Sequence, residues 1–467
     1  MPKSRRPSTV GELKASGYEV LSVKNELRKN LIECIKRGKE LFPGIVGYSD
    51  TVIPQVENAI LSGHDLIFLG ERGQAKSRLI RAITDLLDET VPIVRGSEIN
   101  DNPYNPVSKY ARELIDEMGD KTPIDWITRD RRYAEKLATP DITIADLIGE
   151  IDPIKVAEGR YLSDELAIHY GLIPRTNRGV FCINELPDLA ERIQVGLFNL
   201  LEERDIQIKG YRVNLPLDVY VVASANPEDY TNRGRIITPL KDRYGSLIRT
   251  HYPKTVQEEI AIVDQEAKVF VDGDTKVAVP SYMKEIIGEV TFLARRSPDI
   301  NQRSGVSVRV SICNYETLVA NAFRRAIRNH ESPAVPRVTD LPFLLASTSG
   351  KVELESVEEG REGHVLEEMI KKAVLATFSR YFSVQDLEPL VQRFEGGWAV
   401  DASDVMPSKA YVKRAKEAPE LTEALAKLDG SEAAPSIASG MEFILEGLHL
   451  NRRLNRDKVE GAVRYRG

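Results

Sequence analysis

The sequence predicts an α/β fold: a doubly wound parallel sheet over residues 43–251, an α-helical domain over 252–345 and a mostly helical C-terminal extension over 346–467. Three observations carry this. Short apolar runs, Leu66–Leu69 first among them, end in polar or glycine residues, the pattern of strands buried on both faces of a parallel sheet. After that run Leu79, Ile80, Ile83, Leu86 and Leu87 recur at helical spacing. From about residue 252 the strand signal fades, and Ile312, Tyr315, Val319, Ala322 and Ala326 repeat at 3-4-3-4 spacing.

Taken in order, residues 1–42 read as an N-terminal helical segment, a basic start followed by the helix "VKNELRKNLIECIKRGKEL". Residues 65–88 read strand, loop, helix. The same alternation recurs at "VPIVRG", "GVFCINE" and "DVYVVASANPEDY", and all of these are expected in one parallel sheet. Such sheets bind ligands at the carboxyl ends of their strands, where Lys76, Glu185 and Asn226 fall. Residues of about 97–140 read as an insertion folded on its own subunit, with "TRDRRY" a solvated run of charge. Residues 354–364 read as an acidic loop, "VLEEMIKKAVLATFSRYF" as a helix, and "DGSEAAPSIASG", about 429–440, as a linker. A last amphipathic helix follows, with Met441, Ile444, Leu445 and Leu448 on one face. The basic tail "NRRLNRDKVEGAVRYRG" is expected to be a mobile, solvated end.

Composition bounds the function. A net charge of −7 supplies no bulk basic field, so nucleic acid is disfavoured as a partner. Three scattered cysteines without a CxxC spacing point to a reducing compartment and away from a disulfide frame or zinc site. No apolar run approaches the ~18 residues of a membrane helix, and the N-terminus carries no apolar signal core, so the expected location is cytoplasmic, without membrane insertion.

"GERGQAKS", Gly70–Ser77, matches GxxxxGK[ST] except that Ala75 replaces the second glycine. Such a loop curls backbone N–H groups around phosphate oxygens, places a lysine on the β- and γ-phosphates and a hydroxyl on Mg²⁺. Lys76 and Ser77 supply the last two. Gly70, Glu71, Arg72, Gly73, Gln74 and Ala75, with Arg78 just beyond, complete the nucleotide-binding stretch. Ala75 falls at a helix start, where a negative φ and little cost are expected.

With this loop, "GVFCINE", "ASANPED" and "PLKDRYGS" in order, the chain resembles the AAA+ ATPases. More narrowly it is similar to the helix-2-insert clade that holds the magnesium-chelatase I subunit and the MoxR-type ATPases. "TPDITIADLIGEIDPIKVAEGRYL", "GLIPRTNRGVFCINELPDL" and "LFNLLEERDIQIKGYRVNLPLDVYVVASANPED" resemble the corresponding chelatase segments, the last with a helix, a β-hairpin and a sensor strand. The resemblance spans about residues 43–330. It implies ATP and Mg²⁺ as cofactors, with Ile45, Val46 and Gly47 beside adenine and Glu185 polarising the attacking water. It further implies Asn226 as the sensor of the γ-phosphate, Arg243 as an arginine finger completing a neighbour's site, and Arg309 as a second sensor. Arg233 and Arg235 match less well.

The family's Walker B strand ends in Asp-Glu; here the Asp is Asn184. Removing a charge about 4–5 Å from a dication loses on the order of 7 kcal/mol gross at an effective dielectric near 20. The neutral site also avoids holding a carboxylate away from water, and an amide oxygen still accepts a hydrogen bond from a metal-bound water. ATP binding is therefore expected to survive, with weaker Mg²⁺ affinity at Ser77 and Asn184 and slow hydrolysis. The implied function is a ring-forming ATPase, a homo-hexamer, that remodels a partner carrying a von Willebrand factor A domain, in metal insertion or complex maturation. The alternatives are a true magnesium-chelatase subunit and a nucleotide-gated scaffold or regulator. The absence of a "GAFTGA"-like loop in "IDPIKVAEGR" weighs against sigma-54 activators.

Overall fold

The computed structural model describes residues 6–158, 164–202, 215–227, 234–269, 275–355, 361–428, 432–459 and 461–467. The expected β-hairpin near 203–214, Arg233 and the middle of the expected acidic loop, 356–360, lie outside them. The chain divides into two units, the first ending at His251 and the second beginning at Tyr252.

The first unit is built on five parallel strands: β1 (Leu66–Leu69), β2 (Tyr133–Leu137), β3 (Gly179–Asn184), β4 (Val219–Ala225) and β5 (Ser246–Arg249), in the order β2-β3-β4-β1-β5. Strand alternation splits each apolar run between two cores. Leu66, Phe68, Val180, Cys182, Tyr220, Val222 and Ile248 face one side, where helices α1 (Val23–Lys36), α2 (Val52–Ser62) and α3 (Lys76–Ile83) pack. Ile67, Leu69, Phe181, Ile183, Val221 and Ala223 face the other. Both faces are covered, which is why the runs carry no polar alternation. Helix α1 starts at Ser22, whose hydroxyl accepts from the Asn25 amide.

Two expectations need correction here. "VPIVRG" is a strand, Thr90–Val94, but it pairs antiparallel with Ile124–Thr128 in a separate two-stranded ribbon. Pro92 lacks an N–H and cannot complete a central ladder. The sheet position goes instead to β2, from the stretch read as an insertion. Nor is "TRDRRY" a solvated run throughout: Arg132 is 1% exposed and makes a bidentate ion pair with Glu26 of α1 at 2.6 and 2.7 Å. Its Nε donates to the Arg178 carbonyl. A buried guanidinium needs such full pairing.

The second unit is mainly helical. Helices α4 (Val256–Glu266), α5 (Ser281–Ala294), α6 (Arg309–Asn329), α7 (Arg361–Tyr381) and α8 (Ala434–Leu450) share one core, which runs from Val263 to Tyr465 across the expected boundary near 345. Tyr315, Val319, Ala322 and Ala326 are buried on α6, while Ile312 is partly buried against the same core. The expected linker is overturned over 434–440: these residues are the first turns of α8, with Pro435 in its opening turn and Ala438 and Ser439 fully buried. Met441–Leu448 is buried on every side, so α8 is a central rather than an amphipathic helix. The basic tail is likewise folded. Strands β6 (Ala399–Ala402), β7 (Asn455–Val459) and β8 (Ala462–Arg466) form an antiparallel sheet, with Tyr465 1% exposed and its hydroxyl on Glu446.

Candidate nucleotide site

The phosphate loop leaves β1 and enters α3, at the carboxyl edge of the sheet. The Gly70 amide donates to Ala225 at the end of β4, and a side chain at 70 would put its Cβ 1.8 Å from Thr250 Oγ1 and 2.2 Å from Gln74 Oε1. Only glycine fits there. Gln74 is buried and braces the loop: its Oε1 accepts from the Glu71 amide at 3.0 Å and from Thr250 Oγ1 at 2.7 Å. Its carbonyl accepts from the Tyr48 hydroxyl, which also reaches His251 O. Burial pushes the Tyr48 phenol up to about 12. Ile45 is buried in the core beside α1–α3, and Val46 and Gly47 are half-buried next to it. Glu71 is half-buried, while Arg72, Ser77 and Arg78 are exposed around the loop and the first turn of α3.

Ala75 departs from expectation. It caps α3 with φ 55° and ψ 16°, a left-handed conformation rather than the negative φ the helix start suggested. A Cβ in that region costs about 1–2 kcal/mol, so the loop is held strained by its surroundings.

Lys76, Asn226 and Glu185 meet. Lys76 is 8% exposed; its Nζ donates to the carbonyls of Gly70 and Glu71 and, at 2.6 Å, to Asn226 Oδ1. Asn226 Nδ2 then donates to Glu185 Oε2 at 2.5 Å. Glu185 leaves β3 in the left-handed region, φ 55° and ψ 47°, and its amide donates to Ser224 Oγ. Strain of this kind persists where neighbours fix it and clusters at working sites. Parallel pairing of β3 with β4 and of β4 with β1 brings the three strand ends side by side.

Asn184, 9% exposed, lies one residue before Glu185. Its Oδ1 accepts from Ser224 Oγ at 3.1 Å and from Cys182 Sγ at 3.4 Å, and its Nδ2 donates to Glu135 of β2. Burial, with the Glu135 charge beside it, pushes the Cys182 thiol up to about 12. Glu135, Ser224, Thr250 and Tyr48 are the site residues that sequence reasoning missed. Glu135 was hidden because "YAEKL" follows a charged run and has no apolar stretch of its own.

Arg243 and Arg235 have acidic partners of their own. Arg243, at the end of the helix Thr238–Arg243, is ion-paired with Glu202 at 2.5 Å and lies 4.6 Å over the Phe198 ring. Arg235 meets Glu191 at 3.4 Å, both largely exposed. Arg309 belongs to the second unit, where it is the exposed first residue of α6.

The donors present suit Mg²⁺. The Ser77 hydroxyl, the Asn184 amide and the carboxylates of Glu135 and Glu185 are hard oxygen ligands. Among the described residues no group of three or more His, Cys, Asp or Glu side chains could hold a metal ion.

A five-stranded parallel sheet in this order, flanked by helices and carrying a phosphate loop after a central strand, is the architecture of the AAA+ P-loop fold. By sequence the chain is similar to the magnesium-chelatase I subunit. It is 24% identical over 375 residues to magnesium-chelatase subunit ChlI of Nostoc sp., covering 74% of this chain and 91% of that protein. It is 25% identical over 261 residues to the chloroplastic ChlI of Oryza sativa subsp. indica, covering 52% and 56%. A family model described as the Sigma-54 interaction domain matches residues 158–241. Among solved structures, a cryo-EM-based complex of subunits BchI and BchD of magnesium chelatase aligns over 71% of this chain and 98% of that chain, at 19% identity and a TM-score of 0.36. NtrX from Brucella abortus aligns over 74% and 66%, at 15% identity and a TM-score of 0.39.

Proposed function

We propose that the chain binds ATP with Mg²⁺ at the Gly70–Ser77 loop and hydrolyses it as a subunit of a homo-hexameric ring, in the cytoplasm. The observation that carries this reading is the hydrogen-bonded row Lys76–Asn226–Glu185 beneath the loop. Lys76 binds the β- and γ-phosphates by exchanging its present carbonyl partners for phosphate oxygens. Asn226, already bonded to both Lys76 and Glu185, orients the attacking water, and Glu185 accepts its proton. Ser77, assisted by Asn184, holds the Mg²⁺, which when bound neutralises charge developing on the phosphates. Ile45, Val46 and Gly47 flank the adenine. Arg243 leaves Glu202 to complete a neighbour's site, and Arg309 reports on the nucleotide from α6.

The ring's output, on this reading, is remodelling of a protein carrying a von Willebrand factor A domain, in metal insertion or complex maturation. The support is sequence resemblance to the magnesium-chelatase I subunit. Steady-state ATPase assays test the core claim. Glu185→Gln is expected to lower turnover at least 100-fold, within the 10²–10⁴ range of general-base catalysis, while labelled ATP still binds. Unchanged turnover would overturn Glu185 as the base. Nucleotide-dependent co-elution with a von Willebrand A protein tests the partner.

The Sigma-54 interaction match favours a second reading, a nucleotide-gated regulator. That match begins at Glu158, after most of "IDPIKVAEGR", so it does not restore the missing loop. Nucleotide-dependent oligomerisation with no measurable hydrolysis would decide for the regulator.

A further inference from the structure

Asn184 leaves the expected metal position neutral, yet a carboxylate stands against it. Glu135 lies on β2, opposite Cys182 in the register, on the sheet face that carries Cys182 and Asn184 and receives α3. Its two oxygens are divided. Oε2 accepts from the Tyr133 hydroxyl at 2.8 Å and from Arg81 Nη2 and Nε at 3.0 and 3.2 Å. Oε1 accepts from Asn184 Nδ2. Arg81 is four residues after Ser77 on α3 and therefore lies on the same helix face, one turn further on. The Glu135 side chain is 22% exposed, so a hydrated cation can approach it.

The charge count explains the amide. An aspartate at 184 would press a second carboxylate onto Glu135, and two carboxylates in contact cannot both stay ionised cheaply. Asn184 removes that repulsion and donates to Glu135 instead. The carboxylate also fixes the amide: with Nδ2 on Glu135, Oδ1 must turn to Ser224 and Cys182. The pair Glu135–Asn184 thus carries one negative charge, as a lone aspartate at 184 would. We infer that Glu135 is the relocated acidic group of this site, a positioning residue that supplies from the neighbouring strand the negative charge that Asn184 lacks toward Mg²⁺. The inference rests on the nucleotide-binding reading above.

Mn²⁺ binding to the full chain in the presence of ATP, followed by electron paramagnetic resonance, reads this directly. Binding of fluorescent ATP in excess EDTA is measured beside it. Removing an outer partner of a metal site costs about 10–100-fold in metal affinity. Glu135→Gln is therefore expected to weaken Mn²⁺ binding at least tenfold and to leave metal-free nucleotide binding within twofold. The double variant Asn184→Asp with Glu135→Gln moves the single carboxylate to the strand end, and is expected to recover Mn²⁺ affinity to within about threefold. A role confined to fastening Arg81 predicts no loss of Mn²⁺ in Glu135→Gln, and that result overturns the inference alone. A loss that the double variant fails to recover also overturns it. If the unaltered chain binds no labelled ATP in EDTA, the nucleotide reading falls and takes this inference with it.

Discussion

Ala75 and Glu185 are the two non-glycine residues of the site in the left-handed region, at the two ends of the Lys76–Asn226–Glu185 row. Glu185 has to turn there: Asn226 holds its carboxylate, and Ser224 holds its amide. Ala75 makes no side-chain cap hydrogen bond and its methyl is only partly buried against the core beside α3, so part of its cost of about 1 kcal/mol should be recoverable. Ala75→Gly is expected to stabilise the chain by roughly that amount, less the extra chain entropy of glycine, so that the urea midpoint rises slightly. A lowered midpoint would show that the alanine is unstrained. The same contrast marks what could be read residue by residue. Lys76 and Ser77 follow from the chemistry of a phosphate loop. Glu135 does not, because its role depends on which strand lies beside β3, and no spacing in the sequence encodes that neighbour.

At the scale of elements, the strands were legible where both faces are buried and misread where proline or charge intervenes. β1, β3 and β4 announce themselves as apolar runs. β2, "YAEKL", sits at the sheet edge with its residues half-buried or exposed, and carries no such signal. α8 shows the reverse failure. Small residues and a proline suggested a linker, but they are small because the helix is packed from all sides. Gly447 makes the point: an added Cβ would lie 2.0 Å from the Phe378 ring, itself 1% exposed. Gly447→Ala is expected to cost about 1–3 kcal/mol by overpacking, seen as a lower melting temperature of the second unit. An unchanged melting temperature would mean that the α7–α8 contact yields easily.

For the whole molecule, the reading as a ring makes a claim that no single subunit can satisfy. Glu185 and Arg243 are assigned to the two sides of one interface, so each of the variants Glu185→Gln and Arg243→Ala should be nearly inactive alone. Mixed, they should regain activity, because some interfaces then pair an intact Glu185 with an intact Arg243. An arginine finger contributes about 10³–10⁵ in rate, so even a minority of such interfaces is measurable. A mixture that co-assembles and stays inactive would remove Arg243 from the role.

What the sequence by itself determined is the local chemistry: the phosphate loop, the strand that ends in Asn184 and Glu185, the strand that ends in Asn226, and the helical second half. These are written in short windows, because burial on a strand or a helix face imposes its own periodicity. The tertiary structure alone decided which strand occupies the sheet edge, that Arg132 is buried against Glu26, that the C-terminal residues form a sheet around Tyr465, and that a carboxylate from β2 stands against the neutral Asn184. Apart from the β7–β8 hairpin, each of these depends on contacts between residues about 20 to more than 100 positions apart, and their energy comes from pairing that no local window contains.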